Sequence, residues 1–288
     1  SIERAEPEIV FHLAAQPLVR RSYREPTETF ETNVMGVMNV LEACRRAPSV
    51  RAVVIITSDK CYRNVEWEWG YRETDELGGR DPYSASKGAA ELVARSYRAS
   101  FFDEEDSALV ATARAGNVVG GGDWAEDRLI PDLMRAAASG EPVEIRRPNA
   151  TRPWQHVLEP LSGYLLLGAK LLAGERRFAD GWNFAPHGHV VAPVSVVVER
   201  AKRAWDKFEY RIVPDETLHE DTLLKLDSSK ARLRMGWGET WTIDETFEAT
   251  VGWYRDFYET PGEARERSLK DVRRYVEDAH ARDVVWAK

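Results

Sequence analysis

The run Ala52-Val53-Val54-Ile55-Ile56 gives way without a break to Thr57-Ser58-Asp59-Lys60. Five successive apolar residues mark a strand buried on both faces, like the inner strands of a parallel α/β sheet. Such sheets bind their ligands at the carboxyl ends of the strands, where these four polar or charged residues fall. Further on, Asp81-Pro82-Tyr83-Ser84-Ala85-Ser86-Lys87 opens a helical run to Ser100. Asp81 suits the N-cap, and Pro82 suits the first helical position, where a missing N–H costs nothing. Tyr83 and Lys87 then share one helix face. An ammonium beside a phenol favours the phenolate, so the pair can pass protons at neutral pH; read alone, it is also an ordinary helix-surface pair.

Strand and helix alternate along the rest of the chain. Ser1–Pro7 reads as the tail of a helix, and Glu8–Ala15 as a strand running into a small-residue turn. Within Pro26–Arg46, Val34, Val37, Met38, Leu41, Ala43 and Cys44 make one helical face. Strands are expected at Leu109–Ala113, Val143–Ile145 and Trp182–Ala185, and helices at Leu129–Ala138, Val157–Leu172, Ser195–Asp206 and Ile243–Tyr258. Residues 63–81 read as a long loop, Glu209–Asp227 as a small mixed α+β segment, and Gly262–Lys288 as a charged helical tail.

The 288 residues can bury a sizeable core. A net charge of −8 argues against a general nucleic-acid or membrane-surface binder, while leaving room for a local basic pocket for a nucleotide phosphate. Cys44 and Cys61 are too few for a disulfide scaffold or a structural zinc site, and the six histidines lack ligand spacing, so no metal is expected. No stretch reads as a signal peptide or as an apolar span, which leads to the expectation of a soluble, cytoplasmic protein. Of ten tryptophans, Trp67, Trp69, Trp124 and Trp154 fall in expected loops, where they line a ligand site or a core.

Ser58, Tyr83 and Lys87 match the Ser/Thr–Tyr–Lys arrangement of the extended short-chain dehydrogenase/reductase family, which the chain resembles from about Pro7 to Tyr258. The segments Ser58-Asp59-Lys60-Cys61-Tyr62 and Glu66-Trp67-Glu68-Trp69 are similar to those of the CDP-glucose 4,6-dehydratases within that family. The resemblance implies an α/β fold: a Rossmann-type parallel sheet with helices on both faces, plus a smaller C-terminal α+β substrate lobe. Residues 1–125 and about 155–185 would form the NAD-binding part, 126–154 and 186–260 the lobe, and 261–288 a charged tail. A nucleotide-binding half opens with a strand and a Gly-x-x-Gly-x-x-Gly-like loop that meets the pyrophosphate. No such loop precedes His12, so the sequence is expected to begin after roughly 70 residues of that fold.

The resemblance also implies roles. Phe11-His12-Leu13-Ala14-Ala15-Gln16 looks like the family's strand-end signature, where Leu13, Ala14 and Ala15 run close to the cofactor, with His12 structural. Asn33 matches an asparagine that steadies the backbone near the active site. Leu13, Ala14, Ala15, Asn33, Thr57, Tyr83 and Lys87 are thus the expected NAD contacts. Asn117, Arg128 and Arg152 are the expected contacts to the nucleotide diphosphate, with His156 ordering a turn and glycines 120–122 offering N–H groups to phosphate.

Ser58, Asp59, Lys60, Tyr83 and Lys87 are the expected catalytic set. Tyr83 would take the sugar 4-OH proton, Ser58 would hold that oxygen, and Lys87 would bind the nicotinamide ribose. Asp59 would assist loss of the 6-OH. Lys60 stands where the related dTDP-glucose enzymes carry glutamate, and is the first choice for the C5 base; its other reading is an ion-pair partner in the following loop. The expected substrate is CDP-glucose or a related nucleotide sugar, and a homodimer is expected through Val34–Cys44 and Leu92–Phe101. A nucleotide-sugar 4-epimerase, a dehydratase of another nucleotide sugar and a silent NAD-binding relative stay open.

Overall fold

Val53, Val54 and Ile55 have no exposed surface, as an uninterrupted apolar run requires of an inner strand. The computed structural model describes residues 2–186, 192–213, 223–260, 262 and 264–288. In chain order its main elements are β1 (Ile9–His12), α1 (Gly36–Arg45), β2 (Ala52–Ile56), α2 (Pro82–Phe101), β3 (Leu109–Ala115), α3 (Leu129–Ser139), β4 (Val143–Ile145), α4 (Leu158–Leu172), β5 (Gly181–Phe184), α5 (Val194–Ala204), β6 (Tyr210–Ile212), α6 (Ile243–Glu259) and α7 (Ala264–Ala281). They fall into two compact units: Ser1–Ala115 with Ser162–Phe184 and Leu226–Met235, and Gly116–Leu161 with Ala185–Lys225 and Gly236–Lys288.

The first unit is built on a sheet of order β1-β2-β3-β5, with every pairing parallel. Register assigns its two faces. Val10, Val53, Ile55 and Val110 pack with Val37, Leu41, Ala90 and Ala94 of α1 and α2. On the opposite face α4 comes so close that a Cβ on Gly163 would lie 2.3 Å from the Phe184 ring, and one on Gly168 2.6 Å from the Phe11 ring. Helices therefore cover both faces, as expected. Because the strands are parallel, the carboxyl ends of β1, β2 and β3 share one edge of the sheet.

Some local expectations change. β1 ends at His12, opposite Ile55, so Leu13–Ala15 lies beyond the strand in the irregular segment that follows. β3 runs through Ala115 with all seven residues buried, which puts Arg114 inside a strand rather than in the loop after it. The helix expected over Pro26–Arg46 is interrupted by a π-helical turn, Glu31–Met35. Residues 226–235, assigned to the lobe by sequence, join the first unit through Leu226, which bridges Tyr71, and Lys230, which ion-pairs with Asp180 at 2.5 Å.

In the second unit α3, α5 and α6 enclose Trp154, Trp205, Phe208, Phe247, Trp253 and Tyr254. β4 and β6 pair in parallel beside them; of the mixed segment expected over Glu209–Asp227, residues 214–222 lie outside the described ones. A capping box, Thr242 with Glu245, starts α6. The segment expected as a charged tail holds α7, whose Tyr275 is buried and stacks on Trp286. Glu159 at the start of α4 accepts the backbone N–H of Thr240 and Trp241 and the Tyr275 hydroxyl, at 2.9, 2.7 and 2.7 Å. Among the described residues no helix is long and apolar enough to cross a membrane.

The α4–sheet contact is checked by overpacking it. Gly163→Leu should destabilise the protein by about 1–3 kcal/mol in urea unfolding. Combined with Phe184→Ala, which empties the space it invades, its cost should be less than the sum of the two single changes. Additive costs would show that helix and strand are not in contact there.

Candidate active site

The polypeptide leaves β2 through Thr57 and turns at once into a short 3₁₀ segment, Asp59–Cys61, with Ser58 as its N-cap. The Ser58 Oγ accepts the Lys60 backbone N–H at 3.2 Å and donates to Asp59 Oδ1 at 2.8 Å. Ser58 and Asp59 are buried and Lys60 is half-buried. Above this turn lies α2, capped as its sequence foretold: Asp81 accepts the Ser84 N–H at 2.9 Å and the Ser84 hydroxyl at 2.6 Å, with Pro82 next. The helix can approach the turn because residue 88 is glycine; a Cβ there would stand 3.1 Å from the Cys61 carbonyl oxygen. Tyr83 and Lys87, both buried, thereby face the same end of the sheet as Ser58 and Asp59.

Lys87 is a buried ammonium with little to compensate it. Its Nζ has one long hydrogen bond, 3.5 Å to the Ile56 carbonyl. Burial pulls its ammonium down to about 8, although the Glu91 charge works the other way. His12, at the end of β1, is lowered first by burial and then by the Lys87 charge, and its Nε2 has no hydrogen-bond partner. A buried ammonium with unspent N–H donors beside the exposed segment Leu13–Ala14 fits the ribose diol of a nicotinamide nucleotide.

Two expected NAD contacts are used inside the protein. Asn33, buried in the π-helical turn, accepts the Gln16 N–H at 2.8 Å and donates to the Gln16 carbonyl at 3.1 Å and to Ser86 Oγ at 2.9 Å. It ties the segment after β1 to α2, between Tyr83 and Lys87. Thr57 turns inward, its hydroxyl donating to Glu91. Leu13 and Ala14 are exposed and Ala15 half-buried.

The expected diphosphate contacts belong to the second unit. Asn117 is half-buried and its carbonyl accepts the Gln155 N–H at 3.0 Å. Arg128 precedes α3 and pairs with Asp123 at 2.8 Å. Arg152 donates to the Thr151 carbonyl at 2.9 Å. Gly120 and Gly121 are small for packing reasons: a Cβ would come within 2.8 Å of Val157 and 2.1 Å of Trp253 respectively. His156 is buried beside Trp241, accepts the Leu158 N–H at 3.3 Å and is pushed down to about 3 by burial, so it orders the turn as a neutral ring.

Three features escaped the sequence reading. Glu91 forms a buried bidentate pair with Arg114, 2.8 Å from Nε and 2.6 Å from Nη2. Its spacing of four from Lys87 is the signal that was there to find. Tyr164 on α4 is buried, and the charges of Asp59 and Tyr83 add to burial in raising its phenol. Finally, Trp67, Tyr71 and Tyr62 stack in sequence, each pair at 5.3 Å, and Arg114 lies over the Tyr62 ring at 5.1 Å, so the aromatic loop after the turn is anchored to the same network. Trp154 is a core residue, whereas Trp67, Trp69 and Trp124 keep exposed surface. Among the described residues no group of His, Cys, Asp or Glu is placed to hold a metal ion.

This chain belongs to the GDP-mannose 4,6 dehydratase family, which matches residues 1–250. Within that class it is 49% identical to the CDP-glucose 4,6-dehydratase of Salmonella typhimurium over 260 residues, 88% of this chain and 72% of that one. Its fold is similar to that of MoeE5, solved with UDP-glucose and NAD, at a TM-score of 0.72 and 26% identity, covering 86% of this chain and 79% of the other. DesIV, a dTDP-glucose 4,6-dehydratase from Streptomyces venezuelae solved with NAD, shares the fold at a TM-score of 0.75 and 23% identity, covering 88% and 76%.

The Asn33 clamp is open to a direct check. Asn33→Ala leaves the buried Gln16 amide and carbonyl unpaired and should cost about 1–3 kcal/mol. Hydrogen exchange at the Gln16 amide should accelerate with it; unchanged protection would mean the clamp does not hold that segment.

Proposed function

We propose that this protein converts CDP-glucose to CDP-4-keto-6-deoxyglucose as an NAD-dependent nucleotide-sugar 4,6-dehydratase, a hydro-lyase. The observation that carries the reading is Ser58, Asp59, Tyr83 and Lys87 at one end of the parallel sheet, in a chain 49% identical to a CDP-glucose 4,6-dehydratase. We assign the first unit to cofactor and redox chemistry, and the second, through Asn117, Arg128 and Arg152, to the nucleotide diphosphate.

A bound NAD, held by Lys87 and the Leu13–Ala15 segment, would supply the hydride acceptor for C4 of the sugar and the hydride donor for C6. Lys87 donates to the nicotinamide ribose and favours the Tyr83 phenolate, which takes the 4-OH proton. Ser58 turns from Asp59 to hold that oxygen. The 4-keto group acidifies the C5 proton, which Lys60 removes and later restores. Asp59 gives a proton to the departing 6-OH, and the proton taken by Tyr83 balances that loss, so one water leaves and the cofactor ends as it began. Lys60 stays half-buried in the same turn as Asp59, which supports its role.

Mass spectrometry of CDP-glucose after incubation with protein and NAD+ tests the reading, with dTDP-, UDP- and GDP-glucose in parallel. The expected product is one water lighter, from CDP-glucose alone. Unchanged mass with a new epimer, or no change at all, would overturn it. Lys60→Ala should still reduce NAD+ slowly with CDP-glucose but release no dehydrated product; dehydration at the parental rate would remove Lys60 from the C5 step.

We further propose a homodimer through α1 and α2, the second of which exposes Leu92 and Phe101 at 47% and 49% of their area. Leu92→Glu with Phe101→Glu should give a monomer in analytical ultracentrifugation, and a parental protein that is itself monomeric would sink the idea. Both cysteines are free and buried, which accords with the cytoplasm as its compartment.

A further inference from the structure

The end of the sheet beneath Lys87 holds two opposite charges that take no part in the reaction. The side chains of Glu91 and Arg114 keep 3% and 5% of their surface, and their closest atoms are 2.6 Å apart. Both groups are held by further hydrogen bonds. Thr57 and Thr112 donate to opposite oxygens of the carboxylate. Arg114 Nη1 donates to the Tyr62 hydroxyl at 2.5 Å, Tyr62 donates to Asn183 Oδ1 at 2.8 Å, and Asn183 Nδ2 donates to the carbonyls of Tyr71 and Asp227. The pair thus joins α2, β2, β3, β5 and the turn after Cys61.

Stability alone does not account for it, since apolar residues of similar volume commonly serve a core as well as a buried ion pair. Its position suggests another use. Glu91 lies one helical turn beyond Lys87 on the face that carries Tyr83 and Lys87. Thr57, which it binds, is the residue between Lys87's one acceptor, Ile56, and Ser58.

We propose that Glu91 and Arg114 are positioning residues for the redox site, locking the end of β2 onto α2 and keeping a fixed negative charge beside the Lys87 ammonium. The inference rests on the role assigned to Lys87 above. Lys87 is faced by Tyr83 and Glu91 from its own helix, by His12 from β1, and by Cys61 from the turn that also carries Asp59. His12 is lowered, and the Cys61 thiol is raised well above its ordinary value by burial, so both stay neutral at pH 7. Glu91 does not. Burial would raise its carboxyl, but the Arg114 charge and the hydrogen bonds from Arg114, Thr57 and Thr112 outweigh burial and hold it below the usual range. Arg114 keeps Glu91 ionised, and Glu91 keeps Lys87 protonated. Without that charge burial acts on Lys87 less opposed, and its proton leaves at lower pH.

Nitrogen-15 NMR of the full chain, with labelled lysine side chains and the Lys87 signal assigned by its loss in Lys87→Arg, reads the proton directly. Lys87 should titrate near 8 in the parental protein. Glu91→Gln should lower that midpoint by about one pH unit, and the alkaline fall of NAD+ reduction by CDP-glucose should move with it. Tyr62→Phe, which removes a bond to Arg114 but no charge from beside Lys87, should leave the midpoint in place. A Glu91→Gln protein that melts earlier but titrates Lys87 unchanged would make the pair purely structural and overturn the proposal. If Glu91→Gln does not fold, Glu91→Gln with Arg114→Met removes both charges and is read the same way, an unmoved midpoint again being fatal. A midpoint that moves in a protein whose parent never reduces NAD+ would retain the pair's effect on Lys87 and discard the assigned reaction instead.

Discussion

Taking an ammonium out of water is costly, and much of the first unit's geometry follows from having done so at Lys87. The side chain reaches the carboxyl end of the sheet only because α2 lies low upon it, with Ala90 and Ala94 against the strands and Gly88 against the Asp59–Cys61 turn. Its charge is tolerated because the helix supplies a carboxylate one turn away. That carboxylate in turn obliges β3 to carry an arginine inside a strand, and Thr57 after β2 and Thr112 of β3 to point toward the helix. A face that would otherwise be aliphatic becomes a polar row beneath the site.

The alternation of apolar runs and turn signals made the architecture readable. β2, the Asp81 cap with Pro82, and the positions of α3, α4 and α6 all follow from residues adjacent in the chain, whose influence on one another is local. What escaped depends on register. Whether Arg114 meets Glu91 is settled by which face of β3 turns toward α2, and one residue of slip reverses that face. An arginine after an apolar run also reads more naturally as the start of a loop. Asn33 shows the same limit: its hold on nearby backbone was expected from the resemblance, but the identity of its partners, Gln16 and Ser86, required the π-helical turn that aims it.

Glycine carries a packing reason beside the binding one. Three in a row after a strand suggest a phosphate cradle, yet Gly120 and Gly121 are dictated by the crowding of Val157 and Trp253. Small residues permit close approach without naming what approaches. At Gly88 it is a turn of the same chain, and at Gly163 and Gly168 the rings of Phe184 and Phe11.

Trp124 stands within 5.1–6.4 Å of the rings of Trp253, Tyr254, Phe257 and Tyr258 while keeping 41% of its own surface open to solvent. Its indole is therefore packed on one face and open to water on the other. Trp124 sits in the segment that carries Asp123 and Arg128, next to the Asp123 that Tyr254 holds through both its N–H and its carbonyl. The second unit thus places a half-exposed indole in the very segment that carries Asp123 and Arg128, braced against the aromatic face of α6.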